Sequence, residues 1–200
     1  MVSSNTSRNE QTEKHADTRA TIRSIALNEF LANGFDGTSV EKVAHAAGIS
    51  RRTFFRYFQT KEDVVVTGLH ESGQFLARLI RERPSDEDAA QALQQGLSEF
   101  LRYYERNRRR SGSVLRMIQD NPNLRACFLE HRDQWRKLVA AELAGRMTSR
   151  EQADLMASIG LSMLSVLYDR WCEDEGLDLA ATIDGYFTML RETFAANGRC

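Results

Sequence analysis

The 200 residues carry 27 Lys and Arg against 28 Asp and Glu, so any affinity for a polyanion must come from a local cluster of cations, not from net charge. At 42% apolar and 28% charged residues the chain has the composition of a soluble globular protein, long enough for one or two domains with a buried core. Three cysteines (Cys127, Cys172 and Cys200) without metal-ligand spacing argue against a disulfide framework and a zinc site, and Pro84 and Pro122 are the only prolines in a sequence rich in helix formers.

The first sixteen residues are polar and charged, with no apolar run. They read as a disordered arm and not as a secretory signal. A helix follows over about 17–33, with Ile22, Ile25, Ala26, Glu29 and Phe30 at helical spacing. Asn33-Gly34 ends it, because glycine tolerates a left-handed cap. Thr38 or Ser39 caps a second helix whose inner face is Val40, Val43, Ala44 and Ala47. Gly48 permits a tight turn, Ile49 points to the core and Ser50 caps a third helix. Phe54, Phe55 and Phe58 are too apolar to face water together, so at least two should lock this helix to the first. Between Lys42 and Lys61 no acidic residue interrupts the cations, and Arg51, Arg52, Thr53 and Arg56 open the third helix. That is the pattern of a helix-turn-helix whose second helix enters a DNA major groove.

Thr60-Lys61-Glu62-Asp63 looks like the cap of a long fourth helix reaching about Arg83. Pro84-Ser85-Asp86 restarts the chain into a fifth helix with Leu93, Leu97, Phe100, Leu101 and Tyr104 on one face. Arg106 to Arg110 read as a basic helix end, complementing the helix dipole. A short helix over about 114–120 is followed by one starting at Asn121-Pro122 and reaching about Met147. Thr148 or Ser149 caps a helix to about Asp174, and Asp178 begins the last one. The longest apolar stretch, Leu155 to Tyr168, is too short to span a bilayer. No membrane partner and a cytoplasmic location are expected. Ile159, Leu161, Met163, Leu164, Leu167 and Trp171 leave the penultimate helix apolar around most of its circumference. One face can meet the domain core and another needs a second partner.

These offsets together resemble the TetR family of bacterial regulators. The resemblance rests on Gly34-Phe35, Thr38-Ser39-Val40, Ala46-Ala47-Gly48-Ile49-Ser50, the aromatic run Phe54 to Phe58, and Lys61. It implies an all-α fold of about nine helices: a helix-turn-helix domain over 17–63 and a ligand-binding and dimerisation domain over 64–200. It also implies a homodimer through the last two helices, a double-stranded operator, and a C-terminal cavity that controls DNA release. The segment Arg116 to Arg125, Trp135, and Tyr168-Asp169-Arg170-Trp171 loosely resemble members that are acyl-CoA-responsive or mycofactocin-associated. Two positions depart from the family pattern: Phe55 stands where a tyrosine commonly meets phosphate, and Arg52 where a small residue is common.

The expected DNA contacts are Thr38, Ser39, Ser50, Arg51, Arg52, Thr53, Arg56, Tyr57 and Lys61. Arg51 and Thr53 lie where base edges are read, while Thr38, Lys61 and the Tyr57 hydroxyl suit phosphates. Leu101, Tyr104, Ile118, Phe128, Trp135 and Met163 are expected to line an apolar effector pocket, with Arg106 or Arg109 near its mouth. Ile159, Leu161, Leu164, Leu167 and Trp171 are expected at the dimer interface. The effector is a small apolar molecule, with a fatty acyl-CoA as the candidate, and no cofactor is implied. His15, His45, His70 and His131 show no paired ligand spacing, so no metal site is expected. An enzyme is the rival of another class, but no Gly-rich phosphate loop, nucleophile elbow or metal constellation is present. The other alternative is a helical adaptor without DNA binding, which Phe55 alone favours.

Overall fold

The computed structural model describes the backbone of residues 3–197 and the side chains of residues 15–194. Among them are nine α-helices and no strand: α1 (Ser3–Asn33), α2 (Val40–Ala46), α3 (Arg51–Tyr57), α4 (Lys61–Arg81), α5 (Ala89–Glu105), α6 (Arg108–Asp120), α7 (Pro122–Leu143), α8 (Arg150–Glu173) and α9 (Leu179–Asn197). A single 3₁₀ turn, Ala144–Arg146, follows α7. The chain divides into two compact units, Met1–Gly68 and Leu69–Cys200, and the boundary falls inside α4.

In the first unit Ile22, Ala26 and Phe30 form a buried stripe on α1, one residue per turn. Val43 and Ala44 of α2 and Phe54 of α3 are buried, as is Phe58 just after it. Phe30 and Phe35 meet edge to face at 5.0 Å. The turns depend on two glycines: Gly34 has φ 78° and Gly48 φ 65°, left-handed conformations that a side chain would strain. Ser39 caps α2 by accepting from the Lys42 amide, and Ser50 caps α3 by accepting from the Thr53 amide. At the start of α4 the Asp63 carboxylate accepts from the Thr60 amide, and the Thr60 hydroxyl accepts from the Asp63 amide.

The second unit is built around α5. Leu93, Leu97, Phe100 and Leu101 are fully buried, packed with Leu76 and Ile80 of α4, Val139 and Leu143 of α7, Leu164 and Leu167 of α8, and Ile183 and Phe187 of α9. Asp88 and Gln91 form a reciprocal capping box at the start of α5. The Asn121 side chain caps α7, accepting from the amides of Asn123 and Leu124 at 3.1 Å each. Arg146 donates to the carbonyls of Arg83, Pro84 and Glu87, which ties the connection between α4 and α5 to the turn after α7.

Three local expectations differ from this fold. The backbone is helical from Ser3, where a disordered arm was expected up to residue 16. That segment holds no glycine or proline to interrupt a helix. Of the run Arg106 to Arg110 only Arg106 closes a helix, as the C-cap of α5; Arg108 to Arg110 instead open α6. Cations at a helix start oppose the dipole, and tertiary bonds outweigh this: Arg108 donates to the Leu177 carbonyl at 2.7 Å and to the Glu105 carboxylate at 2.9 Å. Finally α7 stops at Leu143, not near Met147, and tightens into the 3₁₀ turn that delivers Arg146.

Candidate DNA interface and effector cleft

The seven residues of α3 divide into two faces. Phe54 points inward, and Phe58 follows it into the core. Arg51, Arg52, Phe55 and Arg56 are exposed. Arg51 pairs with Glu41 of α2 at 3.0 Å, and its guanidinium lies 5.4 Å from the Phe55 ring centroid. A backbone hydrogen bond, the Ser39 hydroxyl and Arg51, in that order of weight, hold the Glu41 carboxyl below its ordinary range. Arg56 donates to the Tyr57 hydroxyl at 3.2 Å and lies over its ring, leaving the Tyr57 hydroxyl proton available to an acceptor. Three exposed guanidinium groups on one short helix are a concentrated cationic surface in a nearly neutral chain.

Other expected contacts turn inward. Thr38 is a correction: it is 1% exposed, and its hydroxyl donates to the Gly34 carbonyl at 2.8 Å. Its amide donates to the Phe35 carbonyl at 3.3 Å, so neither donor faces a phosphate. The hydroxyls of Ser39 and Ser50 are engaged as helix caps, and the Thr53 hydroxyl lies 2.8 Å from that of Ser50. Lys61 directs its ammonium to the Phe35 carbonyl at 2.8 Å and over the Phe35 ring at 4.3 Å, so it ties the start of α4 to the turn after α1.

In the second unit a small apolar cleft is lined by Phe128, Trp135, Leu161, Leu164 and Tyr168. His131, Arg132 and Ser165 supply its polar edge. The cavity inside it is about 10 Å³, room for roughly one water. Arg132 donates to the Ser165 hydroxyl at 3.2 Å. His131 directs Nδ1 to the Cys127 carbonyl at 2.9 Å, which leaves Nε2 as its other polar atom. Burial pushes the Tyr168 hydroxyl well above its ordinary range, so it remains a neutral donor. Trp135 closes one wall and donates its indole N–H to the Leu69 carbonyl of α4 at 2.9 Å. It lies flat on the α4 backbone: a methyl at Gly73 would fall 2.5 Å from Nε1 and 2.9 Å from Cγ.

Residues 22–66 match the sequence family described as "Bacterial regulatory proteins, tetR family", and residues 87–195 match the family described as "MftR C-terminal domain". The second match alone covers more than half of the chain. This is a TetR-family transcriptional regulator. Its relatives include MftR of Mycobacterium tuberculosis, assigned by name to the regulation of mycofactocin biosynthesis, at 28% identity over 84% of this chain and 87% of the relative. The transcriptional regulator TcmR of Streptomyces glaucescens is 29% identical over 69% of this chain and 62% of its own. Among solved structures, FadR of Bacillus subtilis in complex with stearoyl-CoA shares the fold at a TM-score of 0.61 and 22% identity, covering 86% of this chain and 96% of that one. FadR of Bacillus halodurans is similar at a TM-score of 0.62 and 23% identity, over 86% and 94% of the two chains.

Within this TetR-family chain the expected pocket and dimer residues are redistributed. Phe128 and Trp135 line the cleft. Leu101 and Ile118 are core residues, Met163 packs against that core, and Tyr104 turns its hydroxyl to within 2.6 Å of Ser72. The cation at the cleft is Arg132, not Arg106 or Arg109. Leu161, Leu164, Leu167 and Trp171, expected between protomers, are buried within their own, and the first two form cleft wall. Ile159 is the only one of the five that is not buried. The exposed apolar residues of α8 are Leu155 at 62% and Val166 at 53%, with Met189 of α9 at 62%. Leu155, Ile159, Ser162 and Val166 recur at spacings of four, three and four, which sets them on one stripe of α8. Of this stripe only Ile159 was among the residues expected at the interface, and His131, Arg132 and Ser165 were not among those expected at the pocket. The exposed stripe was present as periodicity, but the polar trio lies among ordinary surface residues and carried no signal.

Proposed function

We propose that the chain is a repressor that binds a palindromic operator as a homodimer and releases it on binding an acyl effector in the α7–α8 cleft. The observation that carries the reading is Trp135, which forms cleft wall and hydrogen-bonds the α4 backbone with the same side chain. An occupant of the cleft cannot move this indole without disturbing α4, the helix that begins at Lys61 beside the helix-turn-helix. The cleft has no room for an acyl chain as it stands, so the closed form is assigned to the DNA-binding state. An effector that binds only an opened form draws the population away from that state. The apolar walls suit a chain, and Arg132, Ser165 and the Tyr168 hydroxyl suit a polar head. The stearoyl-CoA held by the similar FadR fold supports an acyl thioester as the class.

Arg51, Arg52, Arg56 and Tyr57 are the proposed DNA contacts, the first near base edges and the others on phosphates. The proposed dimer face is the stripe Leu155, Ile159 and Val166 of α8 together with the exposed Met189 of α9, since exposed apolar side chains on the last two helices favour a two-fold partner. The test is a titration of operator DNA with long-chain acyl-CoA, with free CoA as the control. Operator affinity should fall roughly 5- to 150-fold with the acyl thioester and stay unchanged with CoA alone. Equal affinity in both would refute the effector class and leave the DNA-binding reading intact.

A further inference from the structure

We infer that Phe55 reads sequence, by seating its ring on the C5-methyl group of a thymine in the major groove. This rests on the reading of α3 as the groove-entering helix and goes beyond it in naming the group recognised. Phe55 is 42% exposed although Phe54 and Phe58, its neighbours in the same aromatic run, are buried. The core therefore has no need of its outer face. The ring is held in place on its other sides: it stands edge-on to Phe54 at 5.7 Å and 87°, and the Arg51 guanidinium lies 5.4 Å from its centroid. Arg51 is itself braced by Glu41 at 3.0 Å. A ring fixed in this way loses little freedom when a ligand covers it.

A phenyl ring has no hydrogen-bonding atom, which narrows what it can meet in DNA. Against a phosphate it would displace water from an anion and return no hydrogen bond. Of the groups that base pairs present in the major groove, the thymine methyl is the apolar one. Phe55 also shares a face with Arg51, one turn and about 6 Å along the helix axis. A base contact by Arg51 therefore brings the ring within about two base-pair steps of the same groove floor. The guanidinium has five N–H donors and spends one edge on Glu41, so it can turn another to a base while the carboxylate and the ring hold it in position. Arg51 and Phe55 then act as a pair, one for a purine edge and one for a methyl group.

The experiment uses the full chain and the operator it selects from random duplex DNA. Each thymine is replaced singly by uracil, which removes the methyl and leaves pairing and the hydrogen-bonding edge unchanged. One thymine per half-site should lose about fourfold in affinity on this change, the effect of one buried methyl. Phe55→Ala should bind the thymine and uracil operators equally, and Phe55→Leu should keep part of the difference. Arg51→Ala should keep the sensitivity to uracil and lose preference at a neighbouring base pair. The inference is overturned if no uracil weakens the wild-type protein, or if the sensitive position remains sensitive in Phe55→Ala. Failure to select any sequence would overturn the DNA-binding reading as well, and so is a distinct result.

Discussion

Arg51 and Lys61 show how differently two cations on one short stretch are used. Arg51 is exposed and makes its ion pair with a side chain, which leaves other N–H donors for DNA. Lys61 is half-buried and its partner is a backbone carbonyl. Replacing Arg51 by Ala should therefore relax base preference and cost on the order of 1–3 kcal/mol on the selected operator, with little change on random DNA. Replacing Lys61 by Ala should lower the melting temperature and weaken all sequences alike, because it loosens the turn that orients α2 and α3; a charged hydrogen bond of this kind is worth roughly 1–2 kcal/mol. Thermal unfolding with parallel binding to both DNAs separates the two cases, and equal losses on specific and random DNA in Arg51→Ala would contradict the assignment. The sequence could not distinguish these roles. It gives residue type and spacing, whereas the direction of the Lys61 ammonium depends on Phe35, 26 residues away. Thr38 is similar: a threonine before a helix reads as an open donor until the fold turns its hydroxyl to Gly34.

Among the elements, α2, α3 and the C-terminal half of α1 were legible because their signals are local. Glycines at 34 and 48 adopt the left-handed turns expected of them, and Ser39 and Ser50 cap the helices they precede. In α8 the sequence shows apolar residues on most of the circumference but not the rotational phase. Packing against α5 and α7 sets that phase, burying Leu161, Leu164, Leu167 and Trp171 and turning Leu155 and Val166 outward. The outward stripe carries the dimer prediction. Val166→Glu should convert a dimer to a monomer by sedimentation while leaving helix content unchanged, since an exposed site accepts a charge and an interface does not. Leu167→Ala, on the buried side, should instead destabilise the protomer by about 2–5 kcal/mol. If Val166→Glu stays dimeric, the interface lies elsewhere. The α6 start escaped the sequence reading for a comparable reason: Arg108 donates to the carbonyls of Glu175 and Leu177, and no local pattern announces such partners.

At the scale of the whole molecule, a regulator must convert an event in the cleft into a change at the DNA-binding surface, and the contact between Trp135 and α4 is the coupling element we propose. Gly73 allows the indole to lie flat on the helix, and the Leu69 carbonyl fixes its angle. Two substitutions separate packing from coupling. Gly73→Ala inserts a methyl where the indole sits, so Trp135 must move; overpacking of this kind costs about 1–3 kcal/mol. The variant should be less stable and should bind the operator weakly even without effector, because the closed form is the one penalised. Trp135→Phe keeps an aromatic wall but removes the N–H donor. Its protomer should lose about 1 kcal/mol of stability, still bind the operator, and respond less to acyl-CoA, since occupancy of the cleft then pulls on α4 through packing alone. Operator affinity with and without acyl-CoA, measured for both variants, gives the coupling as a ratio. A ratio unchanged from wild type in Trp135→Phe would show that this hydrogen bond does not carry the signal, and α4 would have to be moved by another wall of the cleft.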